Sequence, residues 1–262
     1  MSSTSQLRGL THPAVIAAFT GWNDAGEAAS GVVDHLVELT SAEFVFSIDP
    51  DDFYDFTENR PMVSNTETGE RLLRWPTVEV FLGKLGERHL VLVVGPEPNY
   101  HWREFCGRLV SAIRSVEPEH VILLGAMLAD SPHRRPIPVS QDSAEYEGPT
   151  GILGVLAQAC RDARLPVASL WAAVPHYVSD PPNPKATLAL LGKVEDILDE
   201  ALDVCDLPEE ASAWEGRVND LAAGDPDVEQ YITSLEENYD EDAEPGDMIA
   251  EEFERYLRRR ER

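Results

Sequence analysis

The chain has 262 residues, 43% of them hydrophobic and 26% charged, and a formal net charge of −27. That length and apolar content support a packed core of domain size and exclude wholesale disorder. A field of this sign repels phosphate backbones and anionic lipid, because binding either rests on Lys and Arg. Nucleic acid and membranes are therefore not expected as partners; a basic protein surface is a better candidate, and solubility alone accounts for the charge equally well.

No apolar run reaches the roughly 20 residues of a membrane span. Met1–Leu10 lacks the basic-then-apolar order of a signal peptide, so a cytoplasmic location is expected. Cys106, Cys160 and Cys205 lie far apart, each at an apolar position of an expected helix. They read as buried free thiols, not as a disulfide framework or zinc site. No metal and no cofactor are expected.

Ala14–Phe19 is a short apolar run between Pro13 and Thr20–Gly21, which predicts a buried strand. After the loop Gly21–Asp24, apolar residues at Ala25, Ala29, Val32, Val33, Leu36 and Leu39 have helical spacing, with Asn23 or Asp24 as N-cap. Glu43–Ile48 reads as a second strand and Asp49–Phe56 as a short helix or turn. Met62–Asn65, Arg71–Trp75 and Val78–Leu82 are strand-like pieces punctuated by Gly69 and Pro76, consistent with an inserted hairpin. Leu90–Val94 is a buried strand followed by a helix over Trp102–Val116. Val121–Leu124 is another strand, closed by Gly125–Ala126. A long loop from Leu128 to Pro149 precedes a helix over Gly151–Arg164, with Thr150 as N-cap. A strand over Ala168–Val174 and a helix from Pro184 to Cys205 follow.

Strands apolar on both faces, alternating with amphipathic helices, define the fold class. It is α/β: a three-layer α/β/α sandwich with a mostly parallel sheet over residues 1–207. Pro208 marks a change of character, and residues 208–262 read as an acidic helical extension. Its three expected helices are Glu209–Ala223, Pro226–Glu237 and Asp247–Arg260, each with a narrow apolar stripe. The acid-rich stretch Glu236–Asp247 reads as a solvated linker.

Three loops fall after strand ends, where open α/β sheets place ligands. Gly21–Trp22–Asn23–Asp24–Ala25–Gly26 sits at a strand-to-helix handover, where free N–H groups can hold an anion. It lacks the glycine spacing and the lysine of a phosphate loop. The second loop carries Asp130, His133, Arg134 and Arg135. Asp130 and His133 could form an acid–base pair, although no nucleophile elbow is nearby; an Asp–Arg pair stabilising the loop is the simpler account. The third is Val174–Pro175–His176–Tyr177. Trp22, Asn23, Asp24, Asp130, His133 and His176 are the candidate ligand-binding residues, with no catalytic or metal-ligating residue assigned.

Several of these stretches resemble one family. Gly21–Trp22–Asn23–Asp24–Ala25–Gly26 with Ala28–Ala29, Tyr54–Asp55–Phe56, Arg60–Pro61, Gly95–Pro96–Glu97–Pro98 and Gly125–Ala126 are similar to the proteasome assembly chaperone 2 family. Asp130–Ser131–Pro132–His133–Arg134–Arg135–Pro136 and Val174–Pro175–His176–Tyr177 also resemble it, in the family's order. The tail resembles the actinobacterial branch. The resemblance implies a sandwich like the purine nucleoside phosphorylase and hydrolase fold, proteasome subunits as partners, and self-association, with a trimer as one such arrangement. It implies a non-enzymatic assembly or binding factor. The alternative is a nucleoside-type hydrolase, phosphorylase or binder using the loops at the strand ends, by fold analogy only. Two departures from the family stand out. The sequence ends Arg260–Glu261–Arg262 in place of a docking tail with a penultimate tyrosine, and it carries no phosphorylase-type phosphate site.

Overall fold

The computed structural model describes residues 7–66, 69–141 and 147–242. Strands β1 (Ala14–Thr20), β2 (Glu43–Ser47), β5 (Glu79–Leu85), β6 (Arg88–Pro96), β7 (His120–Ala129), β8 (Val139–Gln141) and β9 (Val167–Pro175) form one sheet in the order β2-β5-β6-β1-β7-β9-β8. Between β2 and β5, β3 (Met62–Asn65) and β4 (Arg71–Arg74) make a separate two-stranded hairpin. β6, β1, β7 and β9 are mutually parallel. β2 is antiparallel to β5 and β5 to β6, so β2 points with the parallel set, whereas β5 and β8 run against it. The sheet is mixed but mostly parallel, as the alternation of elements predicts.

Alternation along β1 sets the two cores. Val15, Ala17 and Phe19 face α2 (Trp102–Ser115) and α3 (Ile152–Asp162), while Ala14, Ile16 and Ala18 face α1 (Ala28–Leu39) and α4 (Pro184–Leu198). A central strand covered on both faces must be apolar throughout, which is why the segment carries no polar alternation. Phe19, Phe53 and Phe105 stack edge to face inside the first core, with centroids 6.0 and 5.4 Å apart.

The chain departs from the sequence reading at several points. β7 runs through Gly125–Ala126 to Ala129. Gly125 is a packing gap and not a stop, since a Cβ there would lie 2.6 Å from the Trp171 ring. The loop after β7 contains β8, at three residues too short to show a period. α3 is not capped by Thr150; its N-cap residue is Gly151, which makes no side-chain cap bond. α4 ends at Leu198, so Cys205 lies beyond it and is exposed, while Cys106 and Cys160 are buried, their thiols pushed up to about 12 and 11 by desolvation.

Two helices follow, α5 (Leu207–Ala222) and α6 (Pro226–Asp242). α5 buries Ala211, Trp214, Val218 and Ala222 and turns Leu221 outward. α6 continues through Glu236–Asp242, which is helical and not linker, because Arg135 pairs with Glu236 and Asp240 on that turn. The expected helix over Asp247–Arg260 lies outside the described residues. Among the described residues, no helix is long and apolar enough to cross a membrane.

Candidate functional site

β1, β6, β7 and β9 are parallel, so the loops after them emerge on one rim of the sheet. The six candidates all lie there, in two groups. Trp22, Asn23 and Asp24 follow β1; Asp130 and His133 follow β7, with His176 after β9. The groups join through the backbone, where Ala126 N–H donates to Asn23 O at 2.8 Å.

In the first group, Trp22 is 69% exposed, whereas Asn23 and Asp24 are buried. A 3₁₀ turn over Ala25–Glu27 precedes α1, and Asp24 caps the helix across it. Asp24 Oδ1 accepts from Ala29 N–H at 2.7 Å and Oδ2 from the Ser30 hydroxyl at 2.5 Å. Burial raises the Asp24 carboxyl above its ordinary range, and these hydrogen bonds oppose the rise. The turn needs Gly26 at φ 64, where a Cβ would also meet that of Asn183 at 2.8 Å. Asn23 Nδ2 donates to Glu97 Oε1 at 3.0 Å, and that oxygen accepts from Ile152 N–H at 2.7 Å. Glu97, placed by the end of β6, therefore supplies the charge at the start of α3. Asn23 Oδ1 has no partner among the described residues.

In the second group, His133 is fully buried. Its Nε2 lies 3.1 Å from Asn219 Oδ1, and Arg134 Nε donates to the same oxygen at 2.6 Å. Oδ1 is thus an acceptor, and the network assigns the proton of His133 to Nε2. Nδ1 then accepts from the Tyr177 hydroxyl at 2.8 Å, and that hydroxyl accepts from His133 N–H at 2.8 Å. Desolvation holds the imidazole below its ordinary pKa and raises that of Tyr177. A neutral histidine with its donor and its acceptor both engaged has no lone pair left for general-base work.

Among the described residues, Asp130 pairs with neither His133 nor an arginine. Asp130 Oδ1 lies 3.2 Å from His176 Nδ1 and accepts from the Tyr231 hydroxyl at 3.2 Å. The two arginines reach the extension instead: Arg134 holds Glu229 through two bonds of 2.9 Å, and Arg135 holds Asp240 and Glu236. Lys185 bridges His133 O and Glu215. The rings of Tyr231 and Trp214, from α6 and α5, lie against His176 and His133.

Glu97, Asn219 and Tyr231 belong to this rim and were not among the candidates. A carboxylate directly after a parallel strand was a usable signal for Glu97. Nothing local marks the other two, whose roles depend on where α5 and α6 dock. A cavity of about 190 Å³ lies elsewhere, at the β2 edge, lined by Phe46, Ser47, Ile48, Asp49, Arg108 and Leu109. It is below the roughly 300 Å³ of ordinary ligand pockets. Among the described residues, no group of three His, Cys, Asp or Glu is placed to hold a metal ion.

These features define an α/β protein with a mostly parallel sheet, whose rim after the strands is packed with its own side chains. The PAC2 family model matches residues 18–222. A PAC2 family protein from Streptomyces avermitilis is 46% identical, with a TM-score of 0.79 over 84% of this chain and 99% of that one. A proteasome-assembly chaperone homologue from Mycobacterium tuberculosis is 43% identical, with a TM-score of 0.78 over 84% and 99%. The chain belongs to the PAC2 family. An archaeal proteasome activator from Pyrococcus furiosus shares the fold at 16% identity, with a TM-score of 0.64 over 81% of this chain and 94% of that one. No curated protein matches the sequence.

Proposed function

We propose that this chain is a non-enzymatic assembly factor that binds proteasome subunits through the rim after β1 and β7. One contrast carries the reading. The polar side chains of the rim are mostly saturated by the chain's own contacts, while Trp22, Met127 and Leu128 are left exposed. A surface with satisfied polar groups and apolar side chains facing water suits another protein better than a small polar substrate. Kinship with a proteasome-assembly chaperone homologue supports the choice of partner.

The test mixes the full chain with purified proteasome α subunits and follows complexes by native mass spectrometry. A complex that weakens at least about tenfold in Trp22→Ala and in Met127→Ser/Leu128→Ser is expected. Absence of any complex overturns the reading. So does a thermal shift with a nucleoside, phosphate or nucleotide that disappears in His176→Ala, because that would mark a small-molecule site.

A further inference from the structure

Helix α6 rests on a seat made by the loops after β7 and β9. Backbone approach between α6 and every other element is slight, so side chains hold it in place. Ile232 and Leu235 are buried, and the Tyr231 ring packs edge-on against those of His176 and Tyr177, with centroids 5.7 and 6.2 Å away. The Tyr231 hydroxyl donates to Asp130. Arg134 takes Glu229, and Arg135 takes Glu236 and Asp240. The seat thus matches a pattern spread over one side of a helix: tyrosine, with apolar residues one and four positions later, and carboxylates two before it, five after and nine after.

Much of α6 opposes its own docking. It has no Lys or Arg among its 17 residues, in a chain of net charge −27, so the field of the molecule repels it. Arg134 and Arg135 offset Glu229, Glu236 and Asp240, whereas Asp227, Glu237 and Glu241 have no cationic partner among the described residues. Glu237 and Glu241 stand one turn apart and repel each other. Asp240, Glu241 and Asp242 fill the last turn, where the helix dipole is negative and favours bases. The link to α5 is only Ala223–Asp225. A helix with the same seat-facing side chains and fewer surplus acids would meet less opposition there.

We propose that this seat is a binding site for an acidic amphipathic helix of a partner protein, and that α6 fills it in cis as a displaceable stand-in. The arginines select the charge of the incoming helix, and Asp130 selects a hydrogen-bond donor where Tyr231 now sits. The extension then controls access, because the partner helix binds only as α6 leaves. This is independent of the proteasome reading, which turns on Trp22, Met127 and Leu128.

The probe is a fluorescently labelled peptide of the Pro226–Asp242 sequence carrying Glu241→Lys and Asp242→Lys. It keeps every seat-facing side chain and corrects the charge at the helix end. Fluorescence anisotropy with the full chain should show saturable binding, absent for a scrambled peptide of the same composition. Ile232→Asp/Leu235→Asp in the chain, which releases its own α6, should tighten binding at least about tenfold. Arg134→Glu/Arg135→Glu in the chain should abolish it. In the wild type, amide exchange of the chain's own α6 should rise at saturating peptide, a readout that needs no variant. No binding to wild type or to Ile232→Asp/Leu235→Asp up to about 1 mM peptide overturns the proposal. Equal affinity for those two chains, binding that ignores Arg134→Glu/Arg135→Glu, or α6 exchange unchanged at saturation also overturns it. Protection of α6 that grows with the concentration of the chain alone would make the occupant the α6 of a second copy, and overturns the assignment to a partner protein.

Discussion

His133 Nε2 meets Asn219 Oδ1 at 3.1 Å, so the loop after β7 and helix α5 share a half-buried polar contact across 86 residues of sequence. The same Asn219 oxygen takes Arg134 Nε, and Arg134 reaches on to Glu229 of α6. The rim of the sheet and both helices of the extension thus belong to one hydrogen-bonded network.

Burial holds His133 neutral, which gives stability a pH dependence. In the unfolded chain a histidine protonates near pH 6.5. Folding lowers the pKa, so below that pH the unfolded state binds a proton that the native state refuses. Stability should fall as pH drops from about 6.5 toward the folded-state pKa and level off beneath it. Urea unfolding of wild type and His133→Gln at pH 7.5 and 5.5 checks this: the wild type should lose more stability across the interval than the variant. Equal losses would mean that His133 is accessible to protons when folded.

The α/β core was legible because its strands and helices each repeat one local pattern. β1 is apolar at every position up to Phe19, and α2 returns Phe105, Leu109, Val110 and Ile113 to one face. What was not legible depends on distance. His133 stood out as a loop histidine, but its partners Tyr177 and Asn219 lie 44 and 86 residues away. Asp130 and His133 sit close enough in sequence to suggest a pair, yet the turn between them sends Asp130 to His176 and His133 inward. The acidic stretch from Glu236 read as linker because its countercharge, Arg135, is 101 residues upstream.

Asp24 separates capping from charge. Its carboxylate accepts from Ala29, from the Ser30 backbone and from the Ser30 hydroxyl, yet burial raises its pKa, so ionisation is less favourable there than in water. Asp24→Asn keeps one acceptor and removes the charge, and should change stability by under about 1 kcal/mol. Asp24→Ala leaves buried donors at the start of α1 unpaired and should cost about 1–3 kcal/mol. Chemical denaturation of both variants at pH 7 gives the comparison. An Asn variant as unstable as the Ala variant would show that the negative charge is required.

Gly151 is needed for contact and not for conformation, because its φ of −86 is open to any residue. A Cβ at this position would run into the Asn23 side chain, which Glu97 holds at 3.0 Å. Gly151→Ala should therefore destabilise by about 1–3 kcal/mol. Asn23→Ala should recover part of that loss in the double variant although it is destabilising alone. Additive losses in the double-mutant cycle would refute the clash as the cause.

Arg134 and Arg135 test how the extension is held. Arg134 meets Glu229 and Arg135 meets Asp240, each through two parallel bonds, the planar geometry for which guanidinium is suited and ammonium is not. These ion pairs are partly exposed, so water and salt screen them, whereas Ile232 and Leu235 beneath them are buried. Arg134→Ala/Arg135→Ala should therefore leave the global Tm little changed while amide exchange along α6 rises well above wild type. Arg134→Lys/Arg135→Lys should restore only part of the protection, because lysine keeps the charge and loses the two-point geometry. Raising salt should move the wild type toward the alanine variant. Exchange in α6 that ignores both substitution and salt would assign the docking to Ile232 and Leu235 alone.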